Sequence, residues 1–96
     1  MILTVNMAEV LGRLQKRGAN PADAQRRFDL LALSIIPFDR DLAIHTAALL
    51  LPTEPLGLSL GDRACLALGI RAKALVLTSD GRLAQATVGA RIEMIR

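Results

Sequence analysis

Leu58-Ser59-Leu60-Gly61-Asp62-Arg63-Ala64-Cys65-Leu66-Ala67-Leu68, closely followed by Ala74-Leu75-Val76-Leu77-Thr78-Ser79-Asp80-Gly81, is the stretch on which the fold turns. In its first half Leu60, Ala64, Cys65, Ala67, Leu68 and Ile70 cover most of a helical circumference, and a helix apolar nearly all round is a buried one. Ser59 can start that helix, because Ser-x-x-Asp before an apolar run is a capping box and the helix N-terminus favours the Asp62 carboxylate. The second half holds a continuous apolar strand, Ala74 to Leu77, of the kind found in parallel sheets covered on both faces. A buried helix feeding a buried strand is α/β architecture.

Working outward, Met7, Val10, Leu11 and Leu14 recur at helical spacing, with Thr4 as a candidate cap and Gly18 as the stop. Asn20-Pro21 is an N-cap followed by proline at the first helical position, and Ala24, Phe28, Leu31 and Ala32 form the inward stripe of this second helix. Ser34 to Phe38 reads as a short strand that Pro37 confines to a sheet edge. Asp39 or Asp41 opens a third helix with an apolar stripe of Ile44, Ala47, Ala48 and Leu51, and Pro52, Pro55 and Gly57 mark a loop. Gly81 to Ala86 is compatible with one or two helical turns, and Arg91 to Ile95 alternates like a final strand.

With 96 residues, 52% hydrophobic and 22% charged, the sequence has a globular balance and the length of one domain. No apolar run is long enough to cross a bilayer, and no signal peptide is expected ahead of Ile2-Leu3. Cys65 is the single cysteine, which excludes an internal disulfide and fits a cytoplasmic protein; with His45 the single histidine, a zinc site of the usual ligands is excluded too. The net charge of +3 leaves nucleic acid open as a partner. Phe28 and Phe38 are the only aromatic residues, too few for a base-stacking platform.

Three carboxylates sit where strands end or helices begin: Glu9, Asp62 and Asp80. Asp80 follows the buried strand, and in open parallel sheets the C-terminal strand ends form the ligand crevice. Each also has an ordinary reading, Asp80 as a turn or cap residue, Asp62 as a capping-box residue and Glu9 as a solvated glutamate. Together they suggest a hard-cation site, because Mg²⁺ takes oxygen ligands and often binds through a few carboxylates plus a substrate phosphate. Such an ion polarises a phosphoryl oxygen and acidifies a bound water. Ser59 and Thr78 are placed to orient carboxylates or water, and Arg63 and Arg82 to hold a phosphate. Arg13, Lys16 and Arg17 are spaced as a phosphate-facing patch or as an ordinary solvated helix end. Neither a phosphate-binding GxxxxGK[ST] loop nor a GxSxG elbow occurs. His45 has no nucleophile near it in sequence.

The stretch Leu58 to Leu68 resembles the third acidic motif of PIN-domain proteins, especially VapC-like toxins of toxin–antitoxin pairs. Val76-Leu77-Thr78-Ser79-Asp80 resembles their fourth motif, and Thr4-Val5-Asn6-Met7-Ala8-Glu9-Val10 is similar to the helix carrying their second acidic residue. Ser34 to Asp39 and Ile92 to Arg96 fit strands of the same family, so the resemblance runs in order along essentially the whole sequence. It implies a Mg²⁺- or Mn²⁺-dependent endoribonuclease, often a homodimer, held inactive by a cognate antitoxin. Glu9, Asp62 and Asp80 would then be catalytic metal-site carboxylates supported by Ser59 and Thr78.

In the family a first strand, ending in another aspartate, runs through the middle of the parallel sheet. No segment of this sequence matches it, so the expectation is an N-terminally truncated, incomplete PIN-like domain spanning 1–96, a parallel sheet flanked by helices with its central first strand absent. A missing carboxylate weakens a metal site. A missing strand strips its neighbours of ladder partners at about 1–3 kcal/mol per buried unpaired group, against a typical net stability of roughly 5–15 kcal/mol. The alternative expectation is therefore a non-catalytic PIN remnant acting as a dimerisation or antitoxin-binding module. A generic basic RNA-binding protein is a third reading, carried by the net charge alone.

Overall fold

The structure, a computed structural model, describes residues 1–78 and 91–94, with backbone alone in the strands at 75–78 and 91–94. The chain divides into two compact units, Met1–Phe38 and Asp39–Arg96. Each unit combines helices with one pair of short parallel strands, an α/β composition.

The first unit opens with β1 (Ile2–Leu3), which runs directly into α1 (Thr4–Lys16). Leu3 is the N-cap and offers no side-chain acceptor. The expectation that Thr4 caps α1 is thus corrected: Thr4 is the first helical residue, and its hydroxyl accepts the Phe38 backbone N–H at 3.1 Å. A short polar side chain at a helix start has two uses, and here the longer-range one prevails. Met7, Val10, Leu11 and Leu14 are half-buried, and α1 packs on α2 (Pro21–Asp29). Asn20 caps α2 as its sequence indicates, accepting the Asp23 N–H at 2.8 Å ahead of Pro21. Ala24 and Phe28 are buried, but α2 ends at Asp29, so Leu31 and Ala32 do not continue its stripe. Leu31 is 59% exposed and Ala32 lies in the left-handed region at φ 50°. Past that turn β2 (Ile35–Ile36) pairs with β1 in parallel, Ile2 opposite Ile35 and Leu3 opposite Ile36.

In the second unit Asp39 caps α3 (Arg40–Ala48) by accepting the Leu42 N–H at 2.9 Å. The stripe expected to face inward is the outer one: Ile44, Ala47, Ala48 and Leu51 are exposed, Leu51 at 73%. Leu42, Thr46, Leu49 and Thr53 are buried in their place. Both sets have helical period, and the inward one was hidden because two of its members are threonines. Thr53 meets the cost of burial by donating its hydroxyl to the Leu49 carbonyl at 2.7 Å. The expected loop around Pro52 and Pro55 is mostly helical, as α4 (Leu50–Thr53) and a 3₁₀ turn (Glu54–Leu56). Proline is tolerated in a first turn, where its missing N–H has no partner to lose. Gly57, at φ 64°, then reverses the chain.

Helix α5 (Leu60–Ala72) packs against α3 and buries Gly61, Ala64, Leu66, Ala67, Leu68 and Gly69. Its small residues let the neighbouring backbone come close, while Leu60, at its first turn, stays 53% exposed. The helix ends in a Schellman motif, with the Ala74 N–H donating to the Gly69 carbonyl and the Lys73 N–H to that of Ile70. Lys73 takes the left-handed position at φ 52° that usually belongs to glycine. The chain then enters β3 (Leu75–Thr78), which pairs in parallel with β4 (Arg91–Met94), Leu75 opposite Arg91 through Thr78 opposite Met94. The turns expected between Gly81 and Ala86 lie outside the described residues.

Candidate functional site

Asp62 is the third residue of α5, where the N-terminal turn leaves backbone N–H groups without helical partners. The capping box read from sequence is formed. Asp62 N–H donates to Ser59 Oγ at 3.1 Å, and Ser59 N–H donates to Asp62 Oδ2 at 3.2 Å. One carboxylate oxygen therefore serves the helix, while Oδ1 lies outside that pair of bonds. Gly61 next to it is buried, and Asp62 is half-buried.

Glu9 belongs to the other unit and projects from the exposed side of α1. Its Oε1 accepts a hydrogen bond from Asn6 Nδ2, one turn earlier, at 3.1 Å. Thr78 closes β3, and Asp80 and Arg82 lie outside the described residues. Among the described residues no group of three or more His, Cys, Asp or Glu side chains is gathered to hold a metal ion.

Charge bears on whether Glu9 and Asp62 suit a cation. Asp23 is ion-paired with Arg26 and Arg27, Asp41 with Arg40, and Asp39 with Arg71 at 2.9 Å. Among the described residues neither Glu9 nor Asp62 takes part in an ion pair. Such carboxylates are hard anionic donors of the chemical type Mg²⁺ and Mn²⁺ prefer, but the described residues do not gather them into a site.

Arg63, the expected phosphate holder, is half-buried and turned towards α3. Its Nη1 donates to the Thr46 carbonyl at 3.3 Å, and its Nε and the Thr46 hydroxyl are both buried without a partner. The contact was not visible in sequence, because it joins residues 17 apart on two helices. The Asp39–Arg71 pair was missed for the same reason. It ties the start of α3 to the last turn of α5, and the Leu42 N–H, followed by the Arg71 guanidinium, holds the Asp39 carboxyl below its ordinary value.

No curated protein and no solved structure matches the chain. The model of one family, the PIN domain, matches residues 1–89 and so spans both units and all three candidate carboxylates. With the α/β order of its elements and an acidic motif at the start of α5, the chain belongs to the PIN-domain family.

Proposed function

We propose that the chain is a VapC-like PIN endoribonuclease, the toxin of a toxin–antitoxin pair, which hydrolyses RNA phosphodiesters with Mg²⁺ or Mn²⁺. PIN-family membership supports a nuclease-type function on RNA, and PIN domains generally depend on divalent metal. The observation that carries the reading further is how two acidic side chains are held. The carboxylates of Glu9 and Asp62 each accept a hydrogen bond and, like those of Asp29 and Glu54, take part in no ion pair among the described residues.

In this proposal Glu9, Asp62 and Asp80 hold the ion, which supplies Lewis-acid polarisation of the phosphoryl oxygen and a more acidic water when bound. The Ser59 backbone N–H fixes the orientation of the Asp62 carboxylate. Asn6 restrains Glu9 in the same manner from one turn away. Ser59 and Thr78 are supporting residues, and Arg82 neutralises substrate phosphate together with Arg63, the latter through the guanidinium N–H groups it does not give to the Thr46 carbonyl.

A second copy and an antitoxin are the proposed protein partners, in the cytoplasm. Exposed apolar residues supply surface for both: Ile44 and Leu51 on the outer stripe of the second unit, and Leu30, Leu31, Leu33 and Ile35 in the first. No helix among the described residues is long and apolar enough to cross a membrane.

Cleavage of labelled single-stranded RNA with Mn²⁺ tests the reading. Asp62→Asn and Glu9→Gln are each expected to reduce it at least about a hundredfold, since several kcal/mol of charge stabilisation depend on the ion. Undiminished cleavage by Asp62→Asn overturns the assignment. No cleavage by the parent chain, with self-association retained, favours the non-catalytic remnant.

A further inference from the structure

The side of α1 opposite its packed stripe carries Glu9, Gly12, Arg13 and Lys16, spaced i, i+3, i+4 and i+7, and all four are exposed. Arg17 follows directly at the C-cap. Among the described residues none of Arg13, Lys16 and Arg17 takes part in an ion pair. The helix dipole alone would account for cations in a last turn. It does not account for Gly12. A glycine inside a helix is destabilising relative to alanine, and it is usually kept because a neighbour leaves no room for a side chain. Here a Cβ at residue 12 would meet nothing within 4 Å. Nothing described in the first unit fills this position, and the residues that follow it on the same face are cationic.

We propose that this face of α1 is a track for the sugar–phosphate backbone of single-stranded RNA. Gly12 lets the strand lie against the helix, Arg13 and Lys16 contact successive phosphates, and Glu9 stands at the end of the track where the ion is held. From Glu9 to Lys16 the track runs about 10 Å along the helix axis. The proposal rests on the RNA-hydrolase reading above and extends it to how the strand is led in. A close approach of backbone to backbone needs no base contact, which suits a chain with Phe28 and Phe38 as its only aromatic residues.

The test is binding of a fluorescein-labelled oligouridylate to the full chain by anisotropy, in EDTA so that nothing is cut, across a salt series. For Arg13→Ala/Lys16→Ala the slope of log K against log salt is expected to become shallower by about 1.4, two single-strand phosphate contacts' worth. Gly12→Ala is expected to raise the Tm by a few degrees, as alanine favours the helix, yet to weaken RNA binding about tenfold. Opposite signs for stability and binding are what a purely structural glycine cannot produce. Unchanged RNA affinity in Gly12→Ala, or an unchanged slope in the double variant, overturns the track. So does a Gly12→Ala that weakens self-association alone, which would make residue 12 a contact for a second copy. RNA binding that follows the expected pattern without cleavage in Mn²⁺ upholds the track while refuting the hydrolase reading. A parent chain that fails to bind RNA refutes the track.

Discussion

Helices α1 and α5 are both 13 residues long, and each carries one candidate carboxylate, yet they are held in place by different means. Helix α5 buries six residues, is closed at its start by the Ser59–Asp62 box, and ends in a Schellman turn. Helix α1 buries none fully, lacks a side-chain cap, and is anchored through the Thr4 hydroxyl and a half-buried stripe against α2. The lesson concerns what each carboxylate is free to do. Asp62 serves the fold through one oxygen, with the other outside the capping box, whereas Glu9 contributes to its own helix only through Asn6.

The largest difference between the two helices should appear in packing. Leu66 is 0% exposed within α5, so Leu66→Ala should cost about 2–5 kcal/mol in urea unfolding. Leu14→Ala, on the half-buried stripe of α1, should cost about 1 kcal/mol, near the centre of the distribution for point mutants. Equal costs would show that α1 is packed as firmly as α5. The same asymmetry sharpens the carboxylate test. Asp62→Asn keeps an acceptor for the Ser59 N–H but removes the negative charge from the start of α5, and should lower stability by about 0.3–1 kcal/mol together with cleavage, while Glu9→Gln should lower cleavage with stability nearly unchanged. A Glu9→Gln variant as destabilised as Asp62→Asn would make Glu9 a structural residue.

Local chemistry was legible in the sequence wherever both partners lie within one turn. Asn20, Asp39 and Ser59 cap the helices they precede, because the acceptor and the N–H it receives are three residues apart. What needs a second element was not legible. The same Ser/Thr chemistry sent Thr4 to the Phe38 N–H, 34 residues away, and let Thr46 and Thr53 take the inner face of α3 and α4 from Ile44 and Leu51. Periodicity fixes that a helix has a face, but hydropathy misjudges which face when a threonine hydroxyl is satisfied by its own backbone, as that of Thr53 is. At the candidate site the limit is different. A carboxylate at an N-terminal turn follows the same pattern whether it caps the helix or binds a cation, and Asp62 occupies a position where both uses are available.

The close of α5 gives a smaller and cleaner test. Lys73 sits at φ 52°, where a Cβ is disfavoured, and the cost is borne because the Schellman bonds require that turn. Lys73→Gly should therefore stabilise the chain by about 0.5–1 kcal/mol, a gain that Gly18, already glycine at φ 106° after α1, has no counterpart for. A loss of stability would mean that the lysine side chain contributes more than its backbone strain costs.

The smallest expected effect is electrostatic and again separates the two units. In the first unit Asp23 is paired within α2 alone, with Arg26 and Arg27 one turn away. In the second, Asp39 joins the start of α3 to Arg71 at the end of α5. The Leu42 N–H, and after it Arg71, depress the Asp39 carboxyl below its ordinary value of 3.8. A carboxyl depressed in the folded state stabilises the fold above its unfolded value, and that contribution fades as pH falls below 3.8 and through the folded value. Asp39→Asn retains an acceptor for the Leu42 N–H but does not titrate, so its stability should decline less steeply over that acid range than the parent's. Arg71→Gln removes the lesser of the two causes and should flatten the decline by a smaller amount. Because the group is solvated and the pair is screened, both changes should be modest. Superimposable acid limbs for the parent and Asp39→Asn would show that the capping bond persists when the carboxyl is protonated, and that the link from α3 to α5 is carried by packing alone.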